Sequence, residues 1–279
     1  MLRRAHILPK ELQLLWNHIE SKNMKPDLNS SYHQEKTPLV LIQTGDNLGF
    51  AGGNNVGLRY IMKQKDCKYI WVLNNDTVVE KNSLLNLVRY SSGKPFKNLC
   101  GSKLIFYHDP KYVQALGGAS YNKWTGNATS LGKLYKEDKP VDTQKIENKL
   151  SYIMGASWLI PISFLSEIGL MEESYFLYYE EIDWCMRGSK NYKLCYANDS
   201  IVYHKEGKSI GSSSDKTKTS LFSDFYLFRN KLIFTRKFYP KALIPVYFAT
   251  FLQALNRLRR KQIDKARLII QILLGKRSY

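Results

Sequence analysis

Amide and acidic side chains follow a short apolar run in the first third of the chain. Asn74, Asn75 and Asp76 come directly after residues 69–73 (YIWVL), a β-rich segment. A carboxylate at a strand end, flanked by amides, can hold a hard divalent cation that also binds a diphosphate. An ordinary Asx turn that closes a strand uses the same residue types, and for an isolated motif this is the more common explanation.

A second group of acids lies in the middle of the chain. Glu180, Glu181 and Asp183 follow the aromatic run at residues 175–179 (YFLYY). Three carboxylates so close together repel one another, which raises a pKa and suits a general base. The alternative is a solvated helix start, where acids favour the positive end of the helix dipole. From the residues alone, both interpretations stay open.

Three further features have a chemical and a structural interpretation. His204 follows the apolar residues 201–203 and is either a metal ligand or a core histidine; the second is more usual for a lone histidine. Trp158 is either a platform for a sugar ring or core packing, with packing again the default. A glycine-rich turn predicted at residues 49–55 would let backbone approach a phosphate, although such turns are common.

Alternating apolar runs and helical patterns indicate how these residues are positioned. Residues 39–42 (LVLI) and 69–73 are predicted strands, each followed by a helix, and residues 151–160 are predicted as one strand that Pro161 stops. This order is typical of a parallel sheet with crossover helices. Ligands of such sheets bind beyond the carboxyl ends of the strands, where residues 47–55 and 74–77 fall.

Composition limits the class of protein. The chain has 279 residues, of which 44% are hydrophobic, so it can build a large core. Its four cysteines show no CxxC pair and are interpreted as buried thiols of a reducing compartment. The first ten residues are basic but lack the apolar run of a secretory signal. A cytoplasmic location is therefore expected.

Positive charge is concentrated in the last part of the chain. Net charge is +18, and residues 216–279 contain 15 Lys or Arg against two acids, which gives +13 there. The apolar run at residues 242–255 contains Pro245 and is shorter than the ~20 residues of a membrane span. Short apolar helices flanked by basic residues are typical of anchors on an anionic membrane surface. Nucleic acid is the disfavoured alternative, since no base-stacking module accompanies the charge.

The order of the motifs is more specific than any one of them. Together they resemble the family 2 glycosyltransferases, in particular the rhamnosyltransferase-like branch that builds bacterial surface polysaccharides such as O-antigen. The resemblance covers about residues 39–230 and ends at Arg229-Asn230. It rests on residues 47–57 (NLGFAGGNNVG), residues 73–77 (LNNDT), residues 176–183 (FLYYEEID), and His204 with Gly207 and Ser209.

This resemblance implies a fold and a reaction. The fold is the GT-A type, an α/β fold with a Rossmann-like mixed sheet that binds a nucleotide-diphospho-sugar. Asp76 and His204 would hold the divalent metal, Mn or Mg, and Glu181 would be the general base of an inverting transfer. The implied nucleotide-sugar contacts are Asn47, Phe50, Asn54, Asn55, Asn74 and Asn75. The acceptor contacts assigned with them are Trp158, Glu180 and Asp183.

Two departures from the family pattern accompany the resemblance. The usual base is aspartate, where this chain has Glu181, and no first βαβ unit precedes residue 39. We therefore expect an irregular segment at residues 1–38, a GT-A-like catalytic domain at residues 39–215 and a basic helical membrane-associating region at residues 216–279. The predicted function is transfer of a sugar such as rhamnose to a lipid-linked or polysaccharide acceptor at the inner face of the plasma membrane. An inactive remnant or a membrane-bound binding subunit is the alternative.

Overall fold

The computed structural model describes residues 40–64, 66–205 and 219–279. The predicted irregular segment at residues 1–38, Gly207, Ser209 and the predicted domain boundary after residue 215 lie outside the described residues. A first unit, Met1–Asp46, is described only at residues 40–46, which have no regular secondary structure. The strand predicted at residues 39–42 is therefore absent over residues 40–42. A short apolar run becomes a strand only where a neighbour supplies the hydrogen-bond ladder.

The second unit, Asn47–Tyr279, alternates strands and helices over its described residues. Two short 3₁₀ turns, Glu173–Tyr175 and Pro240–Ala242, interrupt this order. The strands are β1 (Tyr69–Leu73), β2 (Thr77–Val79), β3 (Asn98–Phe106), β4 (Val113–Leu116), β5 (Gly118–Asn122), β6 (Asn127–Ser130), β7 (Tyr152–Ile153), β8 (Ser157–Pro161) and β9 (Lys193–His204). The helices are α1 (Gly49–Gln64), α2 (Ser83–Ser92), α3 (Thr143–Glu147), α4 (Ile162–Ile168), α5 (Glu180–Gly188), α6 (Leu221–Phe238), α7 (Leu243–Arg259) and α8 (Ile263–Leu273).

The central sheet is mixed. Its order is β1-β8-β3-β9-β2, and β4 pairs with the C-terminal half of β3. β3 and β9 are parallel neighbours, whereas β8 runs antiparallel to both β1 and β3. β1 and β3 therefore run parallel and are joined through α2, as a crossover connection predicts. The antiparallel strand β8 lies between them in the sheet. The three strands between β4 and β8 in sequence form a second, smaller sheet of order β6-β5-β7.

Helices cover both faces of the central sheet. Leu99, Trp158 and Ile160 point into one hydrophobic cluster, to which α1, α4 and α5 contribute. Cys100 and Leu159 point into another, to which α2 contributes. Successive side chains of a strand face opposite sides, so neighbouring residues of β3 and β8 serve different layers. The α/β character predicted from the sequence is confirmed. The sheet is mixed, as the resemblance implies, rather than all parallel, as the order of strands and helices predicts.

Two predicted elements differ in detail. Residues 49–55 form the first turns of α1 rather than a separate glycine-rich turn. The strand predicted over residues 151–160 is two strands, β7 and β8, with a loop at residues 154–156. This loop carries Gly155, whose backbone N–H is used by the candidate site below. Pro161 ends β8 as expected.

Three helices follow the central sheet. α6, α7 and α8 share a hydrophobic cluster built from Phe225, Phe228, Val246, Leu268 and Ile269. Phe234 of α6 packs with residues of the turn that precedes α5. In the described part of the chain, no helix is both long enough and apolar enough to cross a membrane.

Candidate active site

Asp76 and His204 meet at one end of the central sheet. β2 pairs with β9 in a register that places Thr77 opposite His204, so the residue before Thr77 lies next to the histidine. The Asp76 Oδ1 atom is 3.2 Å from His204 Nε2. The Asp76 carbonyl oxygen accepts a hydrogen bond from Lys205 N at 3.0 Å. Strand register therefore positions both side chains, which we call the metal end of the site.

The tautomer of His204 bears on what this pair can hold. His204 Nδ1 lies 3.0 Å from Gln114 Oε1. In the neutral tautomer that donates from Nδ1 to this oxygen, Nε2 carries the lone pair that a metal ligand needs. Nε2 is buried and forms no hydrogen bond with any described residue. In that tautomer, the Nε2 lone pair and the Asp76 carboxylate oxygen repel each other at 3.2 Å unless a cation lies beside both. An acceptor holding the second ring nitrogen is the usual support of a metal-binding histidine.

The separation of the two atoms fits a shared divalent ion. Neighbouring ligands of an octahedral ion with bonds of about 2.1 Å are about 3 Å apart. No cluster of three or more His, Cys, Asp or Glu suited to a metal occurs among residues 40–64, 66–205 and 219–279. Two protein ligands suit Mg²⁺ or Mn²⁺, which complete their shells with water and substrate phosphates.

Glu181 lies in the first turn of α5 and faces the loop between β7 and β8. Its Oε1 atom accepts a hydrogen bond from Gly155 N at 3.0 Å. A Cβ atom added at Gly155 would be 2.5 Å from the same oxygen and 2.7 Å from Phe50 Cζ. A larger residue at this position would therefore displace the Glu181 carboxylate or the Phe50 ring beside it. Burial raises the pKa of Glu181 to about 7, against the smaller lowering effect of the Gly155 hydrogen bond.

Glu180 is more deeply buried than its neighbour. Its Oε2 atom has no hydrogen-bond partner within the described ranges. Burial, and then the charge of Glu181, raise the pKa of Glu180 well above its ordinary value. Two adjacent carboxyls with raised pKa values hold a proton at neutral pH more readily than solvated acids do. Glu180 and Glu181, with the turn that precedes them, form what we call the base end.

The turn before α5 has a left-handed backbone at three non-glycine residues. Phe176, Tyr178 and Tyr179 have φ values of 64°, 65° and 76°. Each such residue costs on the order of 1–3 kcal/mol, and such strain concentrates at functional sites. Gly49 allows the turn to approach α1, because a Cβ there would lie 2.2 Å from the Phe176 carbonyl oxygen.

One side chain of α6 holds this strained turn. Asn230 Nδ2 donates hydrogen bonds to the carbonyl oxygens of Tyr175 (2.8 Å), Leu177 (2.8 Å) and Tyr178 (3.1 Å). Asn230 is fully buried, so these bonds are shielded from water. Tyr179 OH adds a hydrogen bond to the Gly126 carbonyl oxygen at 2.8 Å. The base end is therefore held by residues far away in sequence.

Two of the residues assigned to the acceptor have structural contacts instead. Trp158 is fully buried and packs edge-to-face on Trp184. Asp183 is also fully buried, and its carboxylate accepts from Arg187 Nε (2.8 Å), Lys237 Nζ (2.6 Å) and Tyr175 OH (3.0 Å). An acceptor sugar cannot contact side chains without accessible surface. Of the three expected acceptor contacts, Glu180 alone lies beside the base.

The amides assigned to the nucleotide sugar divide into two groups. Asn55 is fully buried and bonds Met171 and Glu173, so it fixes α1 to the turn before α5. Asn54 is half-buried and donates to the Phe50 carbonyl oxygen at 2.8 Å. Asn47 and Asn75 are exposed and Asn74 is half-buried. The exposed and half-buried asparagines have side-chain surface that a ligand can contact, whereas Asn55 has none.

The loop that bears Gly155 joins the two ends. Asn74 N donates to the Ala156 carbonyl oxygen at 3.1 Å, while Gly155 N binds Glu181. β1 and β8 are paired so that Leu73 faces Ser157. The metal end and the base end therefore lie at the same end of the sheet, where β1, β3 and β9 finish. This is the edge at which open α/β sheets bind ligands.

A cavity of about 430 Å³ adjoins the base end. Its lining includes Glu181, the aromatic side chains of Tyr178 and Tyr179, and Lys231, Asn256 and Arg260 from α6 and α7. Aromatic faces with a few converging polar groups are typical of small-molecule sites. The sequence motifs do not predict that α6 and α7 line this cavity. They also do not predict the contacts of Gly155 and Gln114, because neither residue has a sequence signal of its own.

Comparison with known proteins finds two similar glycosyltransferases. The chain is 25% identical over 213 residues to the low-salt glycan biosynthesis hexosyltransferase Agl10 of Haloferax volcanii, which is 75% of this chain and 64% of that protein. It is 26% identical over 207 residues to the rhamnosyltransferase WbbL of Escherichia coli K12, which is 70% of this chain and 76% of that protein. No family model matches the chain. The chain is thus similar to glycosyltransferases, as its motifs predict, and spans less than two thirds of Agl10.

Proposed function

We propose that this protein is a metal-dependent, inverting glycosyltransferase that moves a sugar from a nucleoside diphosphate to a glycan acceptor. One observation carries the proposal: the Asp76–His204 pair and the buried carboxyl of Glu181 share one end of the sheet, linked through Gly155 and Ala156. The similarity to two glycosyltransferases supports it.

The metal end would bind the donor diphosphate through Mn²⁺ or Mg²⁺. Asp76 Oδ1 and His204 Nε2 would hold the ion, and Gln114 would keep the imidazole in the required tautomer. Such an ion supplies Lewis-acid stabilisation of the negative charge that develops on the departing diphosphate. Asn74 and Asn75 lie in the same turn and keep surface with which to orient the donor.

The base end would activate the acceptor. The Glu181 carboxylate takes the proton of an acceptor hydroxyl, whose oxygen then bonds to the anomeric carbon as the bond to the diphosphate breaks. Attack from the face opposite the leaving group inverts the configuration. A base with a pKa of about 7 is well matched to work at neutral pH. The cavity beside Glu181 has room for the acceptor sugar.

The identities of sugar and acceptor are the finer part of this proposal. We propose a hexose or rhamnose, since the two relatives are named for transfers of these classes. The acceptor we propose is a lipid-linked or polysaccharide chain of surface-glycan biosynthesis, met at the cytoplasmic face of an anionic membrane. The net charge of +18 supports that surface.

Calorimetric titration with a nucleoside diphosphate tests the donor site. The wild-type chain should bind UDP or dTDP in the presence of Mn²⁺ and lose at least tenfold in affinity when Mn²⁺ is chelated. Asp76→Asn should abolish the dependence on Mn²⁺, because it removes the charged ligand. The matched control is Asp138→Asn, which changes an exposed acid outside the site and should bind as the wild type does. Failure of the folded wild type to bind either nucleotide with Mn²⁺ would favour the inactive remnant or binding subunit.

A further inference from the structure

One face of α7 exposes large apolar side chains. Ile244 and Phe248 are 84% and 63% exposed, and four more side chains of this face are 42–47% exposed. Their spacing repeats every three or four residues, which puts them along one side of the helix. We call this face the α7 stripe; its members are Ile244, Phe248, Phe251, Leu252, Leu255 and Leu258. A contiguous apolar patch of this kind marks an interaction surface.

The other side of α7 belongs to the site. Gln253, Asn256, Arg257 and Arg260 line the cavity that also contains Glu181. At 3.6 residues per turn, these four positions lie on the side of the helix away from the α7 stripe. Val246 and Ala254 complete the inward side in the cluster with α6 and α8. A single helix therefore separates the exposed apolar surface from the wall of the cavity.

Charge around the α7 stripe is positive. Residues 219–279 contain 13 Lys or Arg and two acids, Asp224 and Asp264. Asp224 is buried and faces Arg257 at 3.6 Å and Lys265 at 3.7 Å. Arg259 is exposed and lies on the same side of α7 as the stripe, and Lys241 is exposed in the 3₁₀ turn that precedes α7. An apolar helix face edged by basic residues is complementary to a surface whose outer layer is anionic and whose interior is apolar.

We infer that the α7 stripe docks into the interface of an anionic lipid bilayer, with the basic rim on the headgroups. Apolar helical faces rimmed by Lys and Arg bind in this way, by burial of side chains and by attraction to the lipids. A second copy of the chain fits less well, because it would bring two basic rims together. α7 itself, 17 residues long with Pro245 near its start, lies on the membrane rather than across it.

Docking in this orientation has a consequence for the acceptor. A helix with its side chains is about 10 Å across, so the cavity wall lies one helix away from the headgroups. A glycan whose lipid tail stays in the bilayer can then reach Glu181 with its sugar. This consequence rests on the proposed function, whereas the docking does not.

Vesicle co-sedimentation with the full chain tests the docking. The probes are vesicles of phosphatidylcholine alone and of phosphatidylcholine mixed with phosphatidylglycerol. The wild type should bind the anionic vesicles and bind them at least tenfold more tightly than Phe248→Ser/Leu252→Ser. Leu84→Ser/Leu85→Ser is the matched control, since it removes two large apolar side chains, 45% and 46% exposed, from α2 and should bind as the wild type does. Thermal unfolding checks that both double variants fold.

Several results would overturn the inference. These are absence of wild-type binding to anionic vesicles, equal binding by the stripe variant, or tighter binding to duplex DNA than to vesicles. A dimer that the stripe variant dissociates, with unchanged lipid binding, would assign the face to a second copy. Asp76→Asn should bind vesicles normally, so failure here and failure of the proposed function are separate outcomes.

Discussion

The two ends of the candidate site are built by different means. The metal end consists of side chains at strand ends, and the β2–β9 register alone brings Asp76 to 3.2 Å from His204. The base end follows a turn with three left-handed residues, and that turn keeps its shape through hydrogen bonds from Asn230. Regular structure thus positions the proposed cation ligands, while strain and distant contacts position the proposed base.

This difference separates binding from turnover. A change at the metal end should weaken donor binding and leave the fold intact, because Asp76 is half-buried at a turn. A change at the base end should alter turnover and stability together, because Glu180 and Glu181 are acids held in the interior with raised pKa values. The following predictions test this contrast, from the largest expected effect to the smallest.

Replacing the base should have the largest effect. Glu181→Gln keeps the acceptor for Gly155 N but cannot take a proton, so turnover should fall about 10³-fold, within the range for general bases. Mn²⁺-dependent nucleotide binding should stay as in the wild type. Turnover of the wild type should rise with pH through about 7, as Glu181 ionises. Nucleoside diphosphate release measured against pH gives both results, and a variant with more than a tenth of wild-type turnover would contradict the assignment.

The same variant should be more stable than the wild type at alkaline pH. The folded-state pKa of Glu181 is raised above its unfolded value, so the folded carboxyl holds its proton more tightly. Its contribution to stability is present below the unfolded pKa of about 4.3 and is lost as pH rises through about 7. Glu181→Gln should therefore gain roughly 2 kcal/mol at pH 8 and little at pH 5. Thermal unfolding at the two pH values measures the difference.

Loosening the strained turn should have the next largest effect. Asn230→Ala leaves two buried carbonyl groups and one partly buried carbonyl group without this donor, which should cost about 2–4 kcal/mol of stability. A displacement of the base by about 1 Å should lower turnover about 100-fold. Asn86→Ala is the control, since it removes one exposed hydrogen bond to the Asp199 carbonyl and should change stability by under about 1 kcal/mol. Denaturant unfolding and turnover test the pair, and loss of nucleotide binding by folded Asn230→Ala would contradict the separation of the ends.

Removing the partner of the histidine should have the smallest effect. Gln114→Ala frees the imidazole to change tautomer and orientation, so Mn²⁺ affinity in the presence of nucleoside diphosphate should fall about tenfold. The pH dependence of turnover should not move, because Glu181 is untouched. Gln144→Ala, an exposed position in α3, is the matched control. A shift of the pH profile without a change in Mn²⁺ affinity would assign Gln114 to the base end.

The two ends also differ in how far the sequence predicts them. Asp76 and His204 follow apolar runs, so a motif places each at a strand end, and the sheet then brings them together. The burial of Trp158 agrees with core packing as the default for a tryptophan, whereas nothing local indicates that Asn55 is buried, because an amide has the same sequence signature in a core as in a ligand site. The contacts from Gly155 to Glu181 and from Asn230 to the turn span 26 and at least 52 residues. Such contacts follow from tertiary packing, which one sequence does not display.

Some element boundaries also differ from those that the sequence predicts, because tertiary contacts decide them. The run at residues 151–160 has one β-rich pattern, yet residues 154–156 leave the sheet to supply the N–H that binds Glu181. Residues 49–55 are rich in glycine but helical; of these glycines, Gly49 is the one that the close approach to Phe176 requires. Functional contacts thus override the local pattern at the places where they occur.

The position of Asn230 in the chain sets an order of events during synthesis. The turn at Phe176 is made long before the ribosome adds residue 230, and its left-handed backbone has no donor from α6 until then. A chain that emerges from its N-terminus completes early elements before later ones can dock. The nascent polypeptide can therefore pair its strands and bring Asp76 to His204 before it has a finished base. Under the proposed function, turnover would become possible only once α6 has been made, whereas the metal end could bind nucleotide earlier.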